Sequence, residues 1–343
     1  MFRTLVTAVF GLAAVLLAPP AMTQAQDSVL NVYSARHYAT DATLYDAFTA
    51  ETGIEVRRIE AESDELIQRM LAEGRNSPAD VFITVDAGNL WRAQQAGLLQ
   101  PVSSPILEAA IPGYLRHEDG YWFGFAQRAR VIYYNKERID PGLVQSYADL
   151  ADPALRGQVC IRTSSNIYNL SLMGSMIETL GEAGAQAWAE GVVANFARQP
   201  AGNDTAQLKA VAAGECGVAV ANTYYYIRLL TSDDPTDQAI AARIGVVFPD
   251  QEGLGTHVNI SGAGVAAHAP HPAAAVRFLE FLTSPGAQAY FAGVNNEYPV
   301  VDGVAPDAAL ASLGQFRAAP VNVAVYGENQ PLAQMVYDRA GWK

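Results

Sequence analysis

Gly120-Tyr121-Trp122-Phe123-Gly124-Phe125-Ala126-Gln127-Arg128-Ala129-Arg130-Val131-Ile132-Tyr133-Tyr134-Asn135-Lys136 is the stretch on which the fold turns. Residues 121–125 and 129–134 read as strands, rich in aromatic and β-branched side chains. An extended run this long is expected to carry the chain from one lobe to another. Upstream, strands at 29–34, 54–59 and 80–84 alternate with helices at 41–53, 64–73 and 89–96. Gly53 and Gly97 supply natural helix stops. Downstream the alternation resumes. Strands are expected at 158–162, 216–221, 244–248 and 259–267, and helices at 168–180, 186–197, 204–213, 272–282 and 284–291. Ser261-Gly262-Ala263-Gly264 permits close backbone approach on a strand that returns the chain to the first lobe. Strands alternating with helices on both sides of a crossover imply an α/β protein with two lobes.

The 343 residues suit two domains, and with 50% hydrophobic and 17% charged residues the chain is globular. Its formal charge of -13 disfavours nucleic acid and is compatible with cations. Met1-Phe2-Arg3, an apolar run over 5–18, Pro19-Pro20 and small residues through Ala25 read as a secretory signal cleaved near Ala25. The run is short for a bilayer span. Without Arg3 there remain 21 basic and 35 acidic residues, a mature charge of -14. In an exported chain the two cysteines, Cys160 and Cys216, are expected to form a disulfide; the alternative is two separate buried thiols. Nothing resembles a C-x-x-C metal site.

The chemistry concentrates in Asn222-Thr223-Tyr224-Tyr225-Tyr226-Ile227-Arg228. Asn222 and Thr223 are both good N-cap residues, so the tyrosines are expected in the first helical turn. There, Tyr224 and Tyr225 point about 100° apart and can approach one ion together, whereas Tyr226 swings away to pack. In a strand, neighbours would face opposite sides. Phenolate oxygens are hard donors and favour a hard trivalent cation. Calcium and magnesium prefer carboxylates and carbonyls, and zinc or copper would call for more His or Cys. Plain aromatic packing is the competing reading. Further candidates are His37-Tyr38 after the first strand, Tyr168 at the helix start after Ser164-Ser165-Asn166, and Arg128 and Arg130 in the crossover.

Five stretches together resemble the periplasmic ferric-binding proteins of iron ABC transporters, in their tyrosine-rich, FutA/FbpA-like branch. They are residues 32–38, 78–82, 128–136, 161–169 and 214–225, the last ending Asn222-Thr223-Tyr224-Tyr225. The resemblance implies Tyr38, Tyr168, Tyr224 and Tyr225 as phenolate ligands to ferric iron, with His37 a ligand in some members. It implies Arg128 and Arg228 as arginines behind the ligands. Asp64 stands roughly where another branch has an acidic ligand, and Tyr226 departs from the aliphatic residue common in the family.

The expected fold is therefore α/β, a two-lobed periplasmic-binding-protein fold of type II with the ligand in the interlobe cleft. The lobes are 26–125 with about 255–295, and 126–254 with about 296–343. The expected function is capture of Fe3+, with water or carbonate completing the coordination. Delivery is to an inner-membrane ABC permease and its ATPase by a soluble, monomeric, non-enzymatic periplasmic protein. The rival readings are a solute-binding protein for an oxyanion, polyamine or thiamine, and an exported enzyme. Against the last, no Ser-His-Asp order, G-x-S-x-G or H-E-x-x-H is present.

Overall fold

The computed structural model describes residues 28–36 and 38–343; the expected 1–25 leader and His37 lie outside the described residues. The first half contains β1 (Val29–Ser34), α1 (Asp41–Thr52), β2 (Glu55–Glu60), α2 (Ser63–Glu73), β3 (Val81–Val85), α3 (Ala87–Gln95), β4 (Leu99–Gln100), α4 (Pro105–Ala110) and β5 (Phe123–Asn135). The middle contains β6 (Val159–Cys160), α5 (Ile167–Ala194), α6 (Asp204–Ala213), β7 (Val218–Asn222), α7 (Thr223–Leu230), α8 (Pro235–Arg243) and β8 (Ile244–Val247). Then come β9 (Val258–Ala266), α9 (Pro272–Leu282), α10 (Pro285–Gly293), β10 (Tyr298–Pro299), α11 (Ala308–Ala311), α12 (Ala324–Glu328) and α13 (Gln330–Ala340).

The crossover is one continuous strand. The 121–125 and 129–134 pieces merge into β5, which absorbs the mismatch as a register shift between Gly124 and Ala126. Residues up to Ala129 pair antiparallel with β9; from Arg130 onward the strand pairs with β7, and from Ile132 with β8. One strand therefore belongs to both halves of a sheet ordered β2-β1-β3-β9-β5-β7-β6. The glycines of β9 do make the close approach expected of them: a Cβ on Gly264 would lie 2.4 Å from the Tyr121 carbonyl oxygen.

Burial divides the interior into two apolar clusters. One gathers Leu30, Phe48, Phe82, Phe123, Ile260 and Phe278; the other gathers Ile132, Leu172, Trp188, Val218, Tyr337 and Trp342. Helix ends follow sequence chemistry. Gly53 closes α1 at φ 75, and Asn166 caps α5 by accepting from the Tyr168 backbone N–H at 3.1 Å. The helices expected at 168–180 and 186–197 run together as α5, broken at Gly181 with φ 71 and ψ 167. The Cys160–Cys216 disulfide is formed, tying β6 to the approach to β7 with the Cα atoms 5.8 Å apart. Among the described residues, no helix is long and apolar enough to cross a membrane.

Candidate metal centre

Strand β7 ends at Asn222 and α7 starts at Thr223, so the tyrosines do occupy the first turn. The cap differs from expectation. Asn222 makes no side-chain cap bond, because its Oδ1 accepts from Arg130 Nη1 at 3.1 Å and its Nδ2 donates to the Tyr224 hydroxyl at 3.4 Å. The side chain that would have capped the helix instead steers a phenol.

Tyr224 is the centre of the cluster. Its hydroxyl donates to that of Tyr168 at 3.2 Å. Its ring lies 4.3 Å from that of Tyr225 at a 35° tilt, and 6.5 Å from that of Tyr38 at 84°. Three separated segments thus bring Tyr38, Tyr168, Tyr224 and Tyr225 together. Tyr226 turns away, as helical geometry requires: it is buried against Tyr133 at 5.4 Å and donates to the Ala241 carbonyl oxygen. Burial first, then the Glu297 carboxylate, holds the Tyr38 phenol well above its ordinary range against the pull of Arg128, Arg36 and Arg228. Burial likewise raises Tyr168 and Tyr224, reinforced by the other phenols. These three are neutral until something displaces their protons.

Five arginines surround the phenols. Arg36 lies 4.7 Å from the Tyr38 ring, and Arg228 lies 5.1 Å from both the Tyr38 and Tyr224 rings. Arg130 and Arg162 lie 5.7 and 5.3 Å from the Tyr168 ring. Arg128 stands in β5, buried, donating to the Ile260 carbonyl and to Ser261 Oγ at 2.7 Å.

Three buried carboxylates answer these charges. Asp41 pairs with Arg36 at 2.7 Å, and Asp204 with Arg130 at 3.1 Å and Arg162 at 3.5 Å. Glu297, fully buried, pairs with Arg128 at 3.0 Å and Arg36 at 3.4 Å. It also accepts from the Tyr38 hydroxyl at 3.1 Å and from Ser261 Oγ at 3.0 Å. Burial pushes the Glu297 carboxyl up, but Arg128 and then Arg36 outweigh it, and the group ends below the ordinary carboxylate range. Glu297 and Asp204 escaped the sequence reading. The available signal was Arg128 and Arg130 on an apolar strand, since buried guanidinium groups demand counter-charges.

A cavity of about 490 Å³ opens beside the phenols, lined in part by Tyr168, Tyr225, Asp64, Arg92, Arg162 and Asn203. Asp64 is largely exposed and is paired with Arg92, so it stands at the rim as part of an ion pair. Among the described residues, no three His, Cys, Asp or Glu side chains are grouped to hold a metal. The donor set is phenolic, and hard anionic oxygens of this kind suit a hard, highly charged cation.

Residues 43–318 match the bacterial extracellular solute-binding protein family. The chain is 52% identical over 326 residues to iron uptake protein A1 of Synechocystis, covering 95% of this chain and 91% of that protein. It is 30% identical to an Fe(3+)-binding periplasmic protein of Serratia marcescens, covering 91% and 90%. The solved structure of the Trichodesmium protein IdiA, or FutA, in complex with iron and citrate superposes with a TM-score of 0.90 at 54% identity, covering 92% of this chain and all of that one.

Proposed function

Since the chain belongs to the bacterial extracellular solute-binding proteins, we propose that it captures ferric iron in the periplasm and hands it to an inner-membrane ABC permease with its ATPase. The fold is the two-lobed type II arrangement of the iron-binding neighbours. The observation that carries the reading is the meeting of Tyr38, Tyr168, Tyr224 and Tyr225 around Tyr224. Four phenolates bring -4 to a +3 ion and leave a core of -1. Five arginines less the three carboxylates paired with them, and less the buried Asp86 that faces Arg128, leave +1 around it. The two charges balance, and a water or carbonate completes the sphere. His37 is a further candidate donor; Arg128 and Arg228 act behind the ligands.

The lobes divide as 26–125 with about 255–295 and 126–254 with about 296–343, with Glu297 beside the last crossing. Tyr38 then belongs to the first lobe and the other three phenols to the second, so closure of the cleft assembles the site. The protein works as a soluble, monomeric carrier rather than an enzyme, after removal of its signal near Ala25. Thermal unfolding with ferric citrate, phosphate, spermidine and thiamine tests the specificity. A ligand held at a thousand times its Kd stabilises by about 4 kcal/mol. Only ferric citrate is expected to raise the midpoint; a larger shift with any of the others contradicts the proposal.

A further inference from the structure

Glu297 is the best-connected buried carboxylate in the site, and phenol ligation alone gives it no task. It touches three chain segments besides its own: Arg128 on β5, Ser261 on β9, and Arg36 and Tyr38 after β1. Its charge opposes that of Arg128, an arginine buried behind the phenols. Asp41 supplies the nearer counter-charge of Arg36. The Asp64–Arg92 pair at the rim adds no net charge.

We propose that Glu297 is a specificity-determining residue, which sharpens the preference of the phenol site for trivalent over divalent cations by cancelling the charge of Arg128. The inference rests on the ferric reading above. A trivalent ion on four phenolates makes a core of -1, and a divalent ion makes one of -2. Surplus positive charge in the wall favours the -2 core more. With Glu297 the surplus is smaller by one charge than without it. The carboxylate therefore withholds stabilisation from both complexes, and more from the divalent one. Its buried position keeps the effect from being screened by salt.

The sign of the effect separates this role from a structural one. Glu297→Gln adds one positive charge to the wall, and Arg128→Gln removes one. The first is expected to lower the ratio of Ga3+ to Mn2+ affinity by about tenfold, and the second to raise it by about tenfold. The double variant restores the wild-type charge of the wall and is expected to return the ratio to within about threefold of the wild type. A residue that merely holds the site together would weaken both ions in every variant, and most in the double.

Affinities are read by titrating wild type and variants with Ga3+ and Mn2+, neither of which changes oxidation state here. The ultraviolet phenolate difference band reports ligation. If wild type shows no phenolate band with Ga3+, the ferric reading itself fails. If the band appears but the two single variants move the ratio in the same direction, or not at all, the role of Glu297 is overturned. Should a single variant fail to fold, the double variant still decides: a change in the ratio beyond about threefold overturns the proposal.

Discussion

On the proposed ligation, loading this site must release protons, and the number sets how steeply affinity depends on pH. The Tyr38, Tyr168 and Tyr224 hydroxyls are all raised, with burial the largest cause in each. Each therefore enters the reaction as a neutral phenol and leaves it as a phenolate. Every proton displaced makes the binding constant change tenfold per pH unit, about 1.4 kcal/mol. Three buried phenols give about a thousandfold per unit. The sign follows from the raised values: across the neutral range all three phenols are protonated in the empty protein, so rising pH strengthens loading and falling pH drives release. Competition against a ferric chelator between about pH 6 and 8, corrected for the chelator's own protonation, gives the slope. A weakly buffered solution with an indicator counts the protons per iron directly. At least three are expected. A slope near one, or fewer than two protons per iron, would refute the phenolate account of the site.

Two further outcomes follow from the scaffold. Replacing Cys160 and Cys216 by serine opens a loop with a sequence separation of 56, and the chain-entropy relation puts the loss at about 4 kcal/mol. Denaturant unfolding of oxidised and variant protein measures it; coincident midpoints would show that the bridge adds nothing. Asp204→Asn leaves Arg130 buried without its carboxylate and leaves one amide oxygen to serve Arg130, Arg162 and the Asn222 backbone N–H. It is expected to cost about 3–5 kcal/mol in the same assay, and a loss below about 1 kcal/mol would contradict the pairing.

Local chemistry made most of the fold legible. Helices 204–213 and 272–282 match α6 and α9 end to end, because Asn203 and Gly214 bound the first and Pro272 opens the second. The crossover was legible as extended chain, but its continuity depends on pairing with β9 and β7, which no local pattern records. Helix α13 was missed although a proline in its first turn and Gly341 at φ 76 bound it; packing of Val336 and Tyr337 in the second apolar cluster then holds it. The phenols were legible because Asn222-Thr223 predicts a helix start, and a helix start places Tyr224 beside Tyr225. Glu297 was not, since its partners Arg36 and Arg128 lie 261 and 169 residues away along the chain. A lone glutamate after Asn295-Asn296 looks like any polar turn until the strands bring it under Tyr38.

The most direct test of ferric capture through phenolates is a visible spectrum with a metal assay. Purified protein given ferric citrate is expected to take up one iron per chain and to show a phenolate-to-iron charge-transfer band. Tyr224→Phe with Tyr225→Phe removes two of the four hard donors and is expected to abolish the band and most of the iron. A colourless wild-type protein, or a double variant that keeps its iron and its colour, would contradict the site.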